Sequence, residues 1–330
     1  MAILITGGAG YIGSHCVKIM QERGYDVVVL DNLSTGHKAA VGDATLYIGN
    51  IDDGDLLAEI FGAHKIDAVI HFAASSLVVE SQAAPYKYYQ NNVAATNGLL
   101  YHMTSHGVDK IVFSSTAAVY GIPEKCPITE NMPTNPINTY GETKLAMERM
   151  MATYDRAHGL KYAALRYFNV AGAHEDGNIG EDHNPETHLV PNVLAVATGK
   201  VPHMTIFGDD YNTPDGTNIR DYIHISDLID AHIKALEYLL AGNGSDYFNL
   251  GSGGGYSNME ILNAARSVTG LELAAVIGQR RGGDPDTLIA SSEKAERVLG
   301  WTRRYTGIED IIAAAWRWHE RHPNGYGKDN

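Results

Sequence analysis

A chain of 330 residues can bury a large core in one domain or two unequal ones, and 44% apolar with 19% charged residues marks a globular protein. Its formal charge of −14 argues against a nucleic-acid partner, which would need a basic face, although local arginines can still bind phosphate. Only two cysteines occur, Cys16 and Cys126, with no basic leader and no long apolar run, so a cytoplasmic protein without disulfides or membrane spans is expected.

The chain opens on an apolar run, Ala2–Ile5, read as a buried strand. A turn with glycines at 7, 10 and 13 follows, then a helix signalled by Val17, Ile19 and Met20. Gly7 permits the tight turn, Gly10 lets the backbone approach phosphates, and Gly13 lets the helix lie close to the strand. The helix N-terminus offers unpaired N–H groups to an anion. A second strand, Val27–Leu30, ends in Asp31, where a carboxylate accepts hydrogen bonds from ribose hydroxyls and repels the extra phosphate of NADP. An NAD site is the expectation.

Further strands are predicted at Thr45–Ile48, Ala68–Phe72, Lys110–Ser114 and Tyr162–Arg166, with helices near Gly13–Arg23, Gly54–Gly62, Pro85–His106 and Tyr140–Ala157. Such alternation predicts an α/β fold: a Rossmann-type doubly wound parallel sheet, with ligands at the carboxyl ends of its strands. Past Asn169 the regularity fails. A polar stretch from His174 to His188 precedes a helix from Pro191, and Tyr222–Ile225 and Tyr247–Leu250 read as strands returning to the sheet. A helix after Ser292 stops at Gly300, a last one opens on Thr306-x-x-Glu309, and the tail from Asn324 reads as frayed. The division expected is an NAD domain over residues 1–168, with returning segments near 219–250, and a smaller mixed α/β substrate domain over 169–330.

The sharpest catalytic signal is Tyr140-Gly-Glu-Thr-Lys144. Thr139-x-x-Glu142 reads as a capping box, which puts Tyr140 in a first helical turn and Lys144 one turn on, on the same face. A cation there favours phenolate, giving a base for an alcohol proton near neutral pH. The fifth strand ends in Ser114, Ser115 and Thr116. Thr116 is the hydroxyl expected to relay the proton, and Ser114 a strand-end cap.

Thr6-Gly-Gly-Ala-Gly-Tyr-Ile-Gly13, Ser114-Ser-Thr-Ala-Ala-Val-Tyr-Gly121 and Tyr-x-x-x-Lys resemble the extended short-chain dehydrogenase/reductase superfamily. Arg166-Tyr-Phe-Asn169, Gly180-Glu-Asp182, Ile206-Phe-Gly-Asp-Asp-Tyr211, Asp215-Gly-Thr217, Ile219-Arg-Asp-Tyr-Ile-His224 and Arg280-Arg281-x-x-Asp284 resemble, more narrowly, its UDP-glucose 4-epimerase family. The likeness runs from Leu4 to Trp318. It implies an isomerase using tightly held NAD and a UDP-sugar, with Tyr140 as base, Lys144 as its partner and Thr116 as helper. By position it implies NAD contacts at Gly7, Gly10, Tyr11, Ile12, Gly13, Asp31, Asn32, Asn50, Ile51, Phe72, Ala73, Asn91 and Tyr167, besides Tyr140 and Lys144. It implies UDP-sugar contacts at Thr116, Asn169, His188, Leu189, Phe207, Arg220, Arg281 and Asp284, with Leu288 beside the sugar's 2-position. Two arginines can fork onto a diphosphate, and a carboxylate can bind a ribose hydroxyl pair.

Three positions depart from that family. Ser76 stands where a cofactor-phosphate lysine is usual, Asn50 where an aspartate is common, and His188 where an asparagine is frequent. A 4,6-dehydratase needs an acidic pair after the threonine, and Ala117-Ala118 stand there instead; a silent nucleotide sensor would usually have lost the Tyr–Lys pair. His174, Glu175, Asp176, Glu181, Asp182, His183, Glu186 and His188 are potential metal ligands, but none pair at i, i+4 on a helix. An acidic loop at the substrate entrance is expected there, and no metal. A homodimer is expected from an excess of apolar residues on two helices: Tyr88, Tyr89, Leu99, Leu100 and Met103 on one, Met147, Met150, Met151 and Tyr154 on the other.

Overall fold

The computed structural model describes residues 1–282 and 284–327. Seven parallel strands form its centre: β1 (Ala2–Thr6), β2 (Asp26–Asp31), β3 (Thr45–Ile48), β4 (Ile66–His71), β5 (Lys110–Ser114), β6 (Lys161–Arg166) and β7 (Asp246–Asn249). Their order is β7-β6-β5-β4-β1-β2-β3, so the winding reverses between β1 and β4, and a crevice opens at that point. Side chains alternate across the sheet. Ile3 and Ile5 of β1 face the Tyr11–Glu22 and Ile225–Leu240 helices through Val17, Met20, Leu228 and Leu236. Leu4 faces the Gly54–Ala63, Ala95–Ser105 and Thr139–His158 helices through Leu57, Ile60, Leu99, Met103 and Met147. A separate cluster around Val193, Ile206, Ile261 and Ile312 joins the Leu189–Ala197, Asn258–Thr269 and Ile308–Arg321 helices.

Several local expectations are corrected. The helix predicted over Pro85–His106 is Pro85–Tyr88, then a π-helical turn at Tyr89–Ala94, then Ala95–Ser105; a further helix, Val78–Ala83, precedes it. Tyr222–His224 does not return to the central sheet but pairs with Asn169–Ala171, whereas Asp246–Asn249 does pair with β6. Asn138, not Thr139, caps the Thr139–His158 helix, its side chain accepting from Gly141 N at 2.8 Å, while Thr139 Oγ1 donates to Gln82. The last helix starts at Ile308 after Gly307, with no side-chain cap from Thr306. A true capping box stands instead at Ser257 and Glu260. Sequence reading also passed over the Ile225–Leu240 helix, although Ile225, Leu228, Ile229, Leu236 and Leu239 have helical spacing.

The tail is not frayed as far as Gly327. Tyr326 N donates to Asp182 Oδ2 (3.0 Å), its hydroxyl meets Gly180 N (3.2 Å) and O (3.3 Å), and its ring stacks on His37 at 4.8 Å. Lys328 to Asn330 lie outside the described residues. The apolar residues offered for a dimer mostly face inward: Leu99, Leu100, Met103, Met147 and Met151 are fully buried against this chain's own sheet, and Tyr88 is buried with its hydroxyl on Leu77 O and Glu80 Oε2. Tyr89 alone among the nine is exposed.

His71, at the end of β4, bridges Thr6 Oγ1 (2.6 Å) and Thr96 Oγ1 (3.0 Å), and burial pushes its imidazole down to about 3. The unfolded histidine titrates near ~6.5, so below that pH the unfolded chain binds a proton that the native state refuses. Stability from this group is complete above ~6.5 and is lost by about 1.4 kcal/mol per pH unit between there and about 3. Buried His15 and His232, pushed to about 4, and His224, to about 3, act in the same direction. The urea midpoint is expected to fall steeply between pH 6.5 and 4.5; a flat profile there would count against neutral buried histidines.

Candidate active site

The glycine turn lies at the crevice between β1 and β4. Gly7 has φ +74°, and a Cβ on it would come within 2.6 Å of Ala73 N; one on Gly13 would come within 2.0 Å of Gly7 O. Both positions therefore demand glycine. Gly10 has no such protein constraint, its nearest neighbour being Gly7 O at 3.5 Å, and it caps the Tyr11–Glu22 helix without a side-chain bond. Bare backbone thus meets a helix N-terminus, the arrangement that a pyrophosphate fits. Tyr11 ties this turn to the second half of the chain, its hydroxyl donating to Gly172 O at 2.7 Å, and Ile12 packs against the first core cluster.

Around the turn, Asp31 accepts from Ala9 N (2.9 Å) and Leu33 N (2.8 Å) at the end of β2. Asn32 Nδ2 donates to Asn50 Oδ1 (2.7 Å), and Ile51 is buried beside them in sequence. Phe72 and Ala73 follow β4, both donating N–H to Thr6 O. The π-helical turn brings Asn91 and Asn92 to Ser75. Asn91 donates to Ser75 Oγ (3.2 Å); buried Asn92 holds Ser75 N and O and reaches Thr143 Oγ1 at 3.0 Å. Sequence reasoning missed Asn92, because one extra residue in a helical turn leaves no mark on periodicity. Exposed Ser76 follows this pinned residue.

At the end of β5, Thr116, Tyr140 and Lys144 come together. Tyr140 N donates to Ser81 Oγ (3.1 Å), which fixes the first turn of its helix. Lys144 Nζ donates to Ser114 O (2.9 Å) and lies 5.9 Å from the centre of the Tyr140 ring. Burial pushes the Tyr140 phenol up to about 12, and a hydrogen bond with Thr116 draws it part of the way back. Burial also pushes the Lys144 ammonium down to about 7, opposed by Glu148. Desolvation of both charged forms thus outweighs the pull of Lys144 on the phenol. Ser114 does more than end a strand, since its hydroxyl meets the Tyr167 hydroxyl.

Behind the trio lies a polar network that sequence reading did not find. Glu148, one turn after Lys144, accepts from Ser115 Oγ (2.6 Å) and from Arg166 Nε (2.9 Å) and Nη2 (2.5 Å). Arg166 Nη1 donates to the Tyr120 hydroxyl (2.8 Å), which donates to Asn249 Oδ1 (2.8 Å). The spacing from Lys144 to Glu148 was the available signal.

The second group of predicted residues lies beyond β6. Asn169 Nδ2 donates to Asp221 O (3.0 Å), and His188 precedes Leu189 at the start of the Leu189–Ala197 helix. The Arg281 guanidinium stands 4.0 Å over the Phe207 ring. Arg220 pairs with Asp284, which also accepts from Asn218 Nδ2 (3.0 Å) and the Tyr211 hydroxyl (3.4 Å). Leu288 lies beside Arg220 in a short parallel pairing and packs on the Ala117, Val119 and Leu145 cluster. The acidic loop is not diffuse. Glu181, His183, Glu186 and His188 converge, with one donor atom of each within 4.8 Å of the others.

The profile of the NAD dependent epimerase/dehydratase family matches residues 3–251. The chain belongs to that family. NAD is its cofactor, and the glycine turn with Asp31 is the part of this family member that fits it. The chain is 58% identical over 331 residues to a UDP-glucose 4-epimerase of Lacticaseibacillus casei, covering 100% of both. A UDP-glucose 4-epimerase of Brucella ovis, solved in complex with NAD, is 46% identical with a TM-score of 0.94, over 96% of this chain and 97% of that one. That of Bifidobacterium longum, solved with NAD⁺ and UDP, is 38% identical with a TM-score of 0.93, over 99% and 100%. No helix among the described residues of this family member is long and apolar enough to cross a membrane.

Proposed function

We propose that the chain interconverts UDP-glucose and UDP-galactose through a transient 4-keto sugar. The observation that carries this is the buried Thr116–Tyr140–Lys144 group at the carboxyl edge of β5, on an NAD fold whose relatives are UDP-glucose 4-epimerases. NAD, when bound, supplies the acceptor and then the donor of the C4 hydride. Tyr140 takes the 4-hydroxyl proton, with Thr116 hydrogen-bonding the reacting oxygen, and gives a proton back once the keto sugar has turned. Lys144, held by Ser114 O, supplies the adjacent positive charge and a ribose contact.

In this reading Gly7, Gly10, Tyr11, Ile12 and Gly13 face the pyrophosphate, Asp31, Asn32, Asn50 and Ile51 the adenosine half, and Phe72, Ala73, Asn91 and Tyr167 the remainder of NAD. Arg220, oriented by Asp284, and Arg281, resting on Phe207, hold the UDP diphosphate, with Asn169, His188 and Leu189 around it. Residues 1–168 with β7 then carry the cofactor, and 169–330 carry the sugar nucleotide. Purified protein given UDP-galactose and no added NAD is expected to form UDP-glucose without net NADH. Absence of product from protein that retains NAD would sink this reading.

A homodimer in the cytoplasm completes the proposal. Its interface is assigned to the exposed tyrosines, Tyr86, Tyr89 and Tyr101, with half-buried Met150 and Tyr154, in place of the buried residues of the same helices. A monomer mass by light scattering in dilute solution would remove it.

Leu288 sets the sugar preference. Lacking a tyrosine's ring and hydroxyl, it leaves space at the 2-position, and slower epimerisation of UDP-N-acetylglucosamine is expected. Leu288→Tyr is expected to cut that activity about tenfold while sparing UDP-galactose, because an overfilled pocket rejects the larger ligand. Equal loss on both sugars would show that Leu288 is not the gate.

A further inference from the structure

We propose that Glu181, His183, Glu186 and His188 hold one divalent transition-metal ion of the zinc class, which staples the loop ahead of the Leu189–Ala197 helix. The four side chains come from eight consecutive residues, and their donor atoms all lie within 4.8 Å of one another. Glu181 Oε1 is 3.2 Å from His183 Nδ1; Glu186 Oε2 is 3.7 Å from His183 Nδ1, and Glu186 Oε1 is 3.5 Å from His188 Nδ1. An ion with bonds of about 2 Å in a tetrahedral shell puts its ligand atoms ~3.3 Å apart, so with Glu186 Oε2 as that residue's ligand atom the first two separations are close to edges of such a shell. The fourth, Glu181 Oε1 to His188 Nδ1 at 2.5 Å, is shorter and must open on binding.

His183 Nδ1 is buried and makes no well-aligned hydrogen bond, although two carboxylates face it. The surroundings also hold the donors in place before any ion arrives. Glu181 is 3% exposed and its carbonyl takes the Trp318 indole N–H at 3.1 Å. Glu186 Oε1 accepts from Thr187 N (2.7 Å) and His188 N (2.8 Å), which turns Oε2 toward His183. The His183 ring meets Tyr11 edge-on at 6.2 Å, and Tyr11 is itself anchored to Gly172. Two imidazoles and two carboxylates suit Zn²⁺ over Mg²⁺ or Ca²⁺, which prefer all-oxygen shells. Four protein ligands make a closed site, with a structural and not a catalytic role. His188, which the epimerase reading sets beside the UDP-sugar, is shared by the two readings, but the metal's test needs no turnover.

The test uses the whole chain, dialysed against a chelator, then titrated with Zn²⁺ alone in competition with a chromogenic chelator. One tight equivalent per chain is expected, and Co²⁺ in its place is expected to show the intense visible absorption of a tetrahedral site. His183→Ala is expected to weaken binding roughly a hundredfold, and Glu186→Gln, which keeps the two backbone acceptor contacts, about tenfold. Thermal unfolding of both variants without metal checks that they fold. Absence of a tight equivalent in the parent protein overturns the site. So does binding unchanged in both variants, the result expected if the ion sits on the His102–His106 pair, whose rings stack 6.1 Å apart.

Discussion

Tyr140→Phe is expected to lower turnover of UDP-galactose about a thousandfold while leaving fold and retained NAD unchanged. The substitution removes one hydroxyl from a buried ring whose packing is otherwise kept. It deletes the group proposed to take the alcohol proton, and Thr116 cannot replace it, because a threonine hydroxyl is a far weaker acid and base. Since burial, partly offset by the hydrogen bond with Thr116, holds the phenol at about 12, the parent enzyme needs added positive charge to work near neutral pH. Lys144 is the protein's share of that charge. Lys144→Met is therefore expected to shift the acid limb of the kcat profile, where the Tyr140 base is protonated, to higher pH as well as to slow turnover. Steady-state rates from pH 6 to 10, with NAD content read by absorbance after acid release, decide both. A Phe variant within tenfold of the parent would mean that another group is the base.

Glu148→Ala is expected to destabilise the chain by about 3–5 kcal/mol, the loss typical when one partner of a buried ion pair is removed. Arg166 is 4% exposed and would keep its charge with no carboxylate, only the Tyr120 hydroxyl and the faces of the Tyr120 and Tyr247 rings beside it. Ser115 would lose its acceptor as well. Because Ser115 adjoins Thr116 and Glu148 lies one turn from Lys144, the damage reaches the site in the molecules that remain folded. Urea unfolding at pH 7.5, with rates measured well below the midpoint, separates the two effects. A stability change under ~1 kcal/mol would show that water replaces the carboxylate.

Much of this was legible because it depends on neighbours in the chain. Strand runs such as Ile3–Ile5 and Lys110–Ser114, the glycines at 7 and 13, and the Tyr140–Lys144 spacing each write local geometry directly into sequence. What escaped depends on contacts between distant residues. Asn92 gains its role only when the π-helical turn meets Ser75, and Glu148 only when β6 places Arg166 beside it. The phenol's raised pKa follows from burial, which a short motif cannot state. The dimer residues failed for a related reason. Helical spacing identifies an apolar face but not what covers it, and the sheet of the same chain had already claimed most of that face.

The docked turn at Tyr326 has a consequence for the order in which the enzyme is made. His37 accompanies the first βαβ unit, while Gly180 and Asp182 belong to the middle of the chain, and Tyr326 touches all three. A chain still on the ribosome can complete its seven strands once β7 has emerged, yet this clasp must wait for residues synthesised about eighty positions later. Assembly of the sheet and locking of the loops around it are thus separate events in biosynthesis, and the second follows the first.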